Sequence, residues 1–392
     1  MRITKLETFL ANAGLRDYLF IRLQTDKGLT GVGEATLEWQ ENTVQVLIHE
    51  FLEERYLVGA NPCDIEALVY RMVRDQYQGG ATIMTAISGI EIALWDLLGK
   101  ECGKPVYQLL GGRCHDQIQA YANGWYGGAR TPEDYGERAK YVVDMGYRAL
   151  KLDPFGVAWK ELPRREFQKS LGLVETVREV VGDDVEMMIE GHGRFNVETS
   201  LEVAHALEPF RPAWFEEPVI SENVEHLEMV KAQSCVPIAA GERLYSLPDF
   251  FRLISRRAVD VVQMDVAHSG GILTSKKISA MAAAQDLSIS PHCSIGPVAL
   301  AAALQLDMCT PNLRFQEAFG EFEAPWRDTL VNGWNPIRRG LLRVDEAPGL
   351  GIELNDHEIA LHPYVRNSFP SLWDGEWYEK FTVDRPRKPT EK

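Results

Sequence analysis

Polar residues at a nearly constant interval in the middle of the chain constrain its fold more than any other feature. Six of them follow one another at steps of 26, 26, 23, 27 and 25 residues: Glu190, Glu216, Glu242, Asp265, His292 and Glu317. Each ends a short apolar run of strand type, and one strand, loop and helix of a β/α unit take about that many residues. Parallel barrels keep their chemistry at the carboxyl ends of their strands. The series therefore predicts one polar site built from successive strand ends.

The sequence from residue 118 to residue 342 has the rhythm of a complete barrel. Strand-like runs at 119–122 and 149–153 precede the six runs of the series, which makes eight strands. Helical stretches lie between them, whereas residues 319–327 after the eighth strand read as a loop. We therefore predict an α/β fold of the (β/α)7β type.

Residues 1–117 have a different pattern, with strands first and helices afterwards. The predicted strands are 3–9, 18–24 and 29–35, and the predicted helices are 43–57, 65–75 and 84–100. We expect an α+β capping domain here, completed by the C-terminal segment 343–392.

Composition limits the partners. The chain has 41 Lys and Arg against 57 Asp and Glu, a net charge of -16, which disfavours nucleic acid and anionic membranes and means that an anionic substrate needs a local cation. No apolar run approaches the ~18 residues of a membrane span, and the first residues do not resemble a signal peptide. The six cysteines are scattered, without a C-x-x-C pair. We expect a cytoplasmic protein with reduced cysteines.

Three acids of the series suit a hard metal ion. Glu190, Glu216 and Glu242 offer carboxylate oxygens without Cys or His, which favours Mg²⁺ over zinc. An octahedral ion would keep positions open for water and a substrate carboxylate. The alternative is that each acid stabilises the start of the following helix.

The motifs together resemble a known superfamily. Glu-x-His at 190–192, Glu-Glu-Pro at 216–218, Gly-Glu at 241–242, Asp-x-x-x-x-Gly-Gly at 265–271, His292 and Glu317 occur in the order typical of the enolase superfamily, mandelate racemase type. The resemblance covers essentially the whole chain. It implies a capping domain, a (β/α)7β barrel and a Mg²⁺ site, and Glu190 stands where family members commonly have Asp.

The resemblance also implies catalytic roles. His292 and Asp265 match the family's His–Asp pair, in which the carboxylate fixes the tautomer and leaves the other ring nitrogen free as a base. A single His is otherwise more often an ordinary polar contact. Glu317 resembles the acid that hydrogen-bonds the substrate carboxylate, and Lys151 the first lysine of a Lys-x-Lys pattern that offsets charge on the intermediate.

His192 lies two residues after Glu190, so on an extended chain both side chains would face the site. In family members that dehydrate acid sugars, a His here protonates the departing hydroxyl. The alternative is a polar partner of Glu190 or of the substrate.

The activity that this resemblance implies is dehydration of an acid sugar. Residues 121–126, 151–156 and 190–195 most resemble aldonate dehydratases acting on gluconate or galactonate. The second lysine is missing, because the sequence is Lys151-Leu-Asp153, and this disfavours proton transfer on both faces of the substrate. Candidate substrate-binding residues, which in the alternative only fill the barrel mouth, are Arg16, Asn123, Trp125, Tyr126, Asp153 and Arg194.

Two rival functions remain open. A racemase, epimerase or lactone cycloisomerase of the same superfamily would share the metal site and the His–Asp pair. A barrel that binds an acid sugar without catalysis is the second. Relatives of this type lead us to expect a homo-oligomer built from dimers.

Overall fold

An antiparallel sheet of three strands begins the chain in the computed structural model, which describes residues 1–332, 334, 336–366, 368–373 and 375. The strands are β1 (Ile3–Asn12), β2 (Asp17–Thr25) and β3 (Thr30–Glu34), in that order across the sheet. Gly28 has φ +78° and lets the chain turn between β2 and β3, because a residue without a Cβ tolerates the left-handed region. All three predicted strands are present, and β1 extends beyond residue 9.

Helices follow the sheet, as predicted. They are α1 (Glu41–Leu47), which continues as a π-helical segment at Ile48–Leu57, α2 (Ile65–Arg74), α3 (Ala81–Cys102) and the short α4 (Val106–Leu109).

Helix α3 packs directly on β3 because two glycines leave room for it. A Cβ added at Gly33 would lie 2.0 Å from the carbonyl oxygen of Gly89, and one at Gly31 would lie 2.3 Å from that of Ala93. Within the described part of the chain, α3 is the one helix long and apolar enough to cross a membrane, but 83% of its most apolar stretch is buried inside the protein. It lies in the core.

A barrel of parallel strands forms the middle of the chain. Its strands are β4 (Ile118–Ala122), β5 (Ala149–Leu152), β6 (Glu186–Glu190), β7 (Trp214–Glu216), β8 (Ile238–Ala240), β9 (Val261–Val262), β10 (Ser288–Ile289) and β11 (Gln316–Ala318). The connecting helices are α5 (Pro132–Asp144), α6 (Arg164–Val181), α7 (Val197–Leu207), α8 (Val224–Gln233), α9 (Leu247–Ser255), α10 (Gly271–Ala283) and α11 (Pro297–Met308).

The barrel is closed. Strand β4 pairs with both β5 and β11, and Ile289 of β10 bridges to Leu313 just before β11. Short 3-10 turns at Gly320–Phe322 and Asp328–Leu330 stand where an eighth helix would follow β11. The predicted (β/α)7β architecture is confirmed.

A layer of apolar side chains fills the inside of the barrel below the polar strand ends. Its members are Tyr121, Ala149, Met188, Ala213, Trp214, Ala239, Val261 and Phe315. Met188 and Trp214 precede Glu190 and Glu216 by two residues, so they face inward on the same strands one layer lower. This layer closes the barrel on one side, and the polar layer therefore opens only toward the capping elements.

Two buried carboxylates attach the capping elements to the barrel. Glu34 of β3 accepts hydrogen bonds from the N–H groups of Gly296 and Ala299 at 2.7 and 2.9 Å, at the start of α11. Glu91 of α3 accepts from Ile272 and Leu273 at 2.7 and 2.9 Å, at the start of α10. Because helix N-termini carry free N–H groups and a positive dipole end, both contacts are favourable.

The chain after β11 returns to both parts of the protein. It contains β12 (Val331–Asn332), β13 (Ile337–Arg338), β14 (Leu341–Leu342), β15 (Glu353–Leu354) and α12 (Asp356–Leu361). Strand β14 pairs with β4 of the barrel, whereas Pro363 bridges to Ala11 of β1. The domain boundaries at residues 117 and 342 stay predictions, and residues 367, 374 and 376–392 of the predicted C-terminal segment lie outside the described residues.

Candidate active site

The polar strand ends meet in a cavity of about 350 Å³ beneath the capping elements. A volume of this order is typical of small-molecule sites. Barrel residues on its wall include Asn123, Lys151, His192, Glu242 and His292. The N-terminal part contributes Arg16 and Trp39, and the C-terminal segment contributes Phe369 and Trp373.

Three carboxylates at neighbouring strand ends converge in this site. One oxygen each from Glu190, Glu216 and Glu242 lies within 4.8 Å of the other two. Oε2 of Glu190 is buried and makes no hydrogen bond, although it forms an ion pair with the ammonium of Lys151 at 3.1 Å. A set of ligands that offers only carboxylate oxygens fits a hard divalent cation such as Mg²⁺. The predicted ligands are therefore brought together.

Lys151 lies among these acids. Its Nζ is 2.5 Å from Oε1 of Glu216 and 3.1 Å from both Oε2 of Glu190 and Oε1 of Glu317. Burial lowers the pKa of Lys151, but Glu216 and Glu317 outweigh this and raise it well above its ordinary value. Burial and the neighbouring Glu190 raise the pKa of Glu216. Negative charge exceeds positive charge here, which is a further reason why a cation would be favoured.

His292 and Asp265 form the predicted pair. Nδ1 of His292 lies 2.7 Å from Oδ2 of Asp265, whose Oδ1 accepts from the N–H of Ala267 at 2.8 Å. Nε2 of His292 is on the side of the acids, 3.5 Å from Oε2 of Glu242 and 3.8 Å from Oε2 of Glu317. Burial lowers the pKa of His292, but Glu242 and Glu317 raise it well above its ordinary value. A cation bound by Glu242 would offset the charge of that carboxylate and favour the neutral ring that a base needs.

Glu317 accepts hydrogen bonds on both oxygens. Nδ2 of Asn123 donates to Oε1 and the N–H of Cys293 donates to Oε2, both at 2.8 Å. Burial raises the pKa of Glu317, but Lys151 and His292 lower it overall. As placed, Glu317 accepts from Asn123 and Cys293 and pairs with Lys151 at 3.1 Å, and its hydrogen bond to a substrate carboxylate stays a prediction.

His192 lines the cavity, but the backbone that leads to it from Glu190 does not have the predicted conformation. Strand β6 ends at Glu190 and His192 has φ +50°, so the chain is not extended and the prediction of an extended chain was wrong. Within this turn the N–H of His192 donates to Oε1 of Glu190 at 2.6 Å. Nδ1 of His192 lies 2.6 Å from Oδ2 of Asp153.

Three of the predicted substrate-binding residues line the cavity: Arg16, Asn123 and Tyr126. Arg16 is ion-paired with Glu38 at 2.8 Å and Glu323 at 3.1 Å. Because two carboxylates balance its charge, Arg16 is not a free cation for an anionic substrate.

The other three have protein partners instead. Nε1 of Trp125 donates to the carbonyl oxygen of Lys151 at 2.7 Å. Asp153 binds His192 and Arg194, and Arg194 also donates to the carbonyl oxygen of Gly156 at 2.6 Å. These contacts fix the loops behind the cavity wall. None of Trp125, Asp153 and Arg194 is on that wall, and their direct contact with a substrate stays a prediction.

The C-terminal segment lines one side of the cavity, which sequence reasoning missed. The ring of Phe369 lies 4.8 Å from the guanidinium carbon of Arg16 and 5.5 Å from the ring of Trp39. The ring of Trp373 lies 5.0 Å from the guanidinium carbon of Arg194. No local pattern marks these aromatic residues, because their partners are distant in sequence.

His268 was also missed. Its Nε2 lies 2.9 Å from the carbonyl oxygen of Thr36, and its Nδ1 lies 3.6 Å from Oδ2 of Asp265. Its place three residues after Asp265, beside a strand end, was the available signal. It links the capping elements to the His292–Asp265 pair.

Two family descriptions match most of the chain. Residues 7–111 match the mandelate racemase / muconate lactonizing enzyme N-terminal domain, and residues 134–358 match the enolase C-terminal domain-like family. The second match alone spans more than half of the chain.

Similar proteins support the same relationship. The chain is 36% identical to a D-gluconate dehydratase of Thermoproteus tenax, over 93% of this chain and 73% of that protein. It is 37% identical to a D-galactonate dehydratase of Variovorax paradoxus, over 92% of this chain and 94% of that protein. A solved mandelate racemase/muconate lactonizing enzyme from Jannaschia sp. superposes with a TM-score of 0.86 at 32% identity, over 93% of this chain and 98% of that one.

Proposed function

Because this chain belongs to the mandelate racemase / muconate lactonizing enzyme family of the enolase superfamily, we propose that it is a Mg²⁺-dependent dehydratase of acid sugars. Such a hydro-lyase removes the proton next to the substrate carboxylate and the hydroxyl on the following carbon. The product is a 2-keto-3-deoxy acid. The named dehydratases among the relatives support this reaction class.

One observation carries the proposal. Two histidines on the cavity wall, each with a carboxylate at Nδ1, follow strands that stand opposite each other in the barrel. His192 follows β6, the third barrel strand, and His292 follows β10, the seventh. Loss of water needs one group to take a proton and another to give one. The two histidines are placed for that division of work.

The base acts first. Nε2 of His292 takes the proton from C2, and Asp265 holds Nδ1–H and stabilises the imidazolium that forms. The ammonium of Lys151, positioned by Glu317, offsets the negative charge that develops on the substrate. A Mg²⁺ ion held by the three acids Glu190, Glu216 and Glu242 would supply further positive charge for the same purpose.

The acid completes the elimination. Nε2 of His192 gives a proton to the hydroxyl on C3, which leaves as water with the electron pair of the C–O bond. The enol that remains takes a proton at C3 and becomes the 2-keto acid. Asp153 stands where the second lysine of the Lys-x-Lys pattern would lie, so this strand lacks the base that a two-sided racemase uses.

D-gluconate and D-galactonate are the substrates that we propose. Both are 2R,3S acids that differ only at C4, away from the bonds that change. The names of the relatives and the sequence similarity at three strand ends support this class. Asn123 and Tyr126 line the cavity and can contact a polyol chain.

The cellular setting is a further part of the proposal. The net charge of -16 and six free cysteines support a cytoplasmic protein. The relationship to the family supports a homo-oligomer built from dimers.

A screen of acid sugars tests the proposed function. The protein is incubated with Mg²⁺ and a library of aldonates and diacid sugars, and 2-keto acid formation is measured, with His292→Asn as the control. We expect product from D-gluconate, D-galactonate or both, and none from the variant. Isomerised substrate without loss of water would indicate a racemase or epimerase, and no turnover of any acid sugar would indicate a binding protein.

A further inference from the structure

Asp153 stands directly after β5, where the family pattern has its second lysine. A lysine there would bring a proton-transferring amine to the substrate. When it is ionised, the carboxylate of Asp153 can only accept hydrogen bonds. The groups that donate to it therefore indicate its role.

Both oxygens of Asp153 are used by the protein. Oδ2 lies 2.6 Å from Nδ1 of His192 and also accepts from Nη2 of Arg194. Oδ1 accepts from the N–H of Phe155 at 3.0 Å. The side chain is only 10% exposed. Three donors therefore converge on this carboxylate, and one of them is a ring that lines the cavity.

Arg194 holds the carboxylate in place. Its Nε donates to the carbonyl oxygen of Gly191 at 2.9 Å, and its Nη1 donates to that of Gly156 at 2.6 Å. The rings of Phe155 and Trp373 lie 5.9 and 5.0 Å from its guanidinium carbon. Because Arg194 is itself fixed in this way, Asp153 is a rigid acceptor.

The ring of His192 is held by a carboxylate from a different strand end. His192 lies in a turn after β6, and its side chain is 19% exposed. Across the described residues, Asp153 is the one carboxylate in contact with the ring. Holding Nδ1–H at Asp153 leaves Nε2 as the nitrogen available to a ligand.

The same arrangement occurs on the opposite side of the barrel. Nδ1 of His292 lies 2.7 Å from Oδ2 of Asp265, compared with 2.6 Å between His192 and Asp153. In both pairs the carboxylate follows one strand, β5 or β9, and the histidine follows the neighbouring strand, β6 or β10.

We infer that Asp153 is the positioning residue of His192, so that protonation of the leaving hydroxyl depends on Asp153 whereas removal of the C2 proton depends on Asp265. This inference rests on the proposed function. Under this inference the end of β5 carries a residue that assists elimination, where a racemase would carry a second base.

The same substitution at both pairs provides a matched test. An amide has one acceptor oxygen, so Asp153→Asn cannot serve all three donors, and Asp265→Asn is the corresponding change at the other histidine. Both variants are loaded with Mg²⁺ and followed in D₂O on an accepted acid sugar, for loss of water and for deuterium at C2. We expect Asp153→Asn to lose roughly 10²- to 10⁴-fold in dehydration while exchange at C2 persists, and Asp265→Asn to lose both. An equal loss of dehydration and exchange in Asp153→Asn, or no loss of dehydration, would overturn the inference.

A measurement without substrate separates this inference from the proposed function. Histidine-selective ¹⁵N labelling reports which ring nitrogen carries the proton, and His192→Asn identifies the His192 signal among the nine histidines. We expect Nδ1–H in the unchanged protein and a change in the His192 ring signals in Asp153→Asn. Unchanged signals would overturn the inference even if no acid sugar were turned over.

A second variant covers a failure of Asp153→Asn to fold. Asp153→Glu keeps the charge and both acceptor oxygens. We expect it to keep Nδ1 of His192 protonated and to retain a higher ratio of dehydration to C2 exchange than Asp153→Ala does. Loss of the Nδ1–H signal in Asp153→Glu together with full dehydration would contradict a positioning role.

Discussion

The imidazole of His292 is held through Nδ1 by the carboxylate of Asp265, at 2.7 Å. This contact decides which ring nitrogen is available in the cavity. Because Asp265 accepts from Nδ1–H, the neutral ring has its lone pair on Nε2, on the side of the acids. A base with a fixed tautomer at a strand end is the starting point of the proposed reaction.

Substituting the two histidines one at a time should separate removal of the C2 proton from loss of water. His292→Asn should abolish both dehydration and deuterium exchange at C2, because no base remains to take the proton. His192→Asn should lose dehydration by about 10²-fold or more and keep exchange, because only the acid is removed. NMR in D₂O measures both, with thermal unfolding as the control for folding. The reverse pattern would mean that the roles are exchanged.

Removing the metal should abolish activity. Treatment with EDTA should inactivate the protein and Mg²⁺ should restore its activity. The reason is that negative charge exceeds positive charge among the buried side chains of the site. Activity assays in metal-free buffer measure this. Full activity there would contradict the proposed Mg²⁺ dependence.

A neighbouring pair of acids tests which carboxylate binds the ion. Glu216→Gln should weaken Mg²⁺ binding by at least about 100-fold, since even partners of ligands contribute roughly 10- to 100-fold. Glu217→Gln is the matched control, because Glu217 is equally buried but pairs with Arg243 at 3.1 Å. Isothermal titration calorimetry compares them. Equal weakening by both would count against Glu216 as a ligand.

The C-terminal aromatic wall should contribute to substrate affinity. Trp373→Ala removes a ring that lines the cavity and covers Arg194. Because aromatic contacts of this kind contribute about 0.5–1.5 kcal/mol, we expect KM to rise by roughly 2- to 10-fold. Tyr70→Ala, an exposed aromatic residue on α2, is the control. An unchanged KM in Trp373→Ala would show that the wall does not bind substrate.

The burial of Glu91 at the start of α10 should make stability depend on pH. Burial raises the pKa of Glu91 to about 7, although its hydrogen-bond donors oppose the shift. Because this folded-state pKa lies above the unfolded value of about 4.5, the contribution of Glu91 to stability is fully present below pH 4.5 and is lost as pH rises through about 7. Relative to Glu91→Gln, the free energy of unfolding should fall by up to about 3 kcal/mol between pH 4.5 and 8. Denaturant unfolding of both proteins measures the difference, and a constant difference would refute it.

The barrel could be predicted because its constraints are periodic. A polar residue at the end of each strand recurs once per β/α unit, and strand register then fixes where Glu190, Glu216 and Glu317 lie. The closed sheet pairs Glu190 with Glu216, as such a register requires. The sequence could therefore predict that residues at the ends of barrel strands lie close together.

Contacts between distant or irregular segments could not be predicted. At the turn after β6, the side chain of Glu190 accepts a hydrogen bond from the N–H of His192. The spacing of residues in the sequence does not predict such a contact. Phe369 and Trp373 reach the cavity through tertiary contacts of the C-terminal segment. The π-helical segment Ile48–Leu57 was predicted only as a continuation of an ordinary helix, because its sequence has the same polar character.

Proton NMR of the Mg²⁺-loaded protein with D-gluconate and with D-galactonate in D₂O tests the central claim most directly. The account predicts that at least one of them is converted to its 2-keto-3-deoxy acid, with solvent deuterium at C3 and water released. Deuterium at C2 without loss of water would contradict dehydration. Turnover confined to diacid sugars or 2S aldonates would contradict the proposed substrate class.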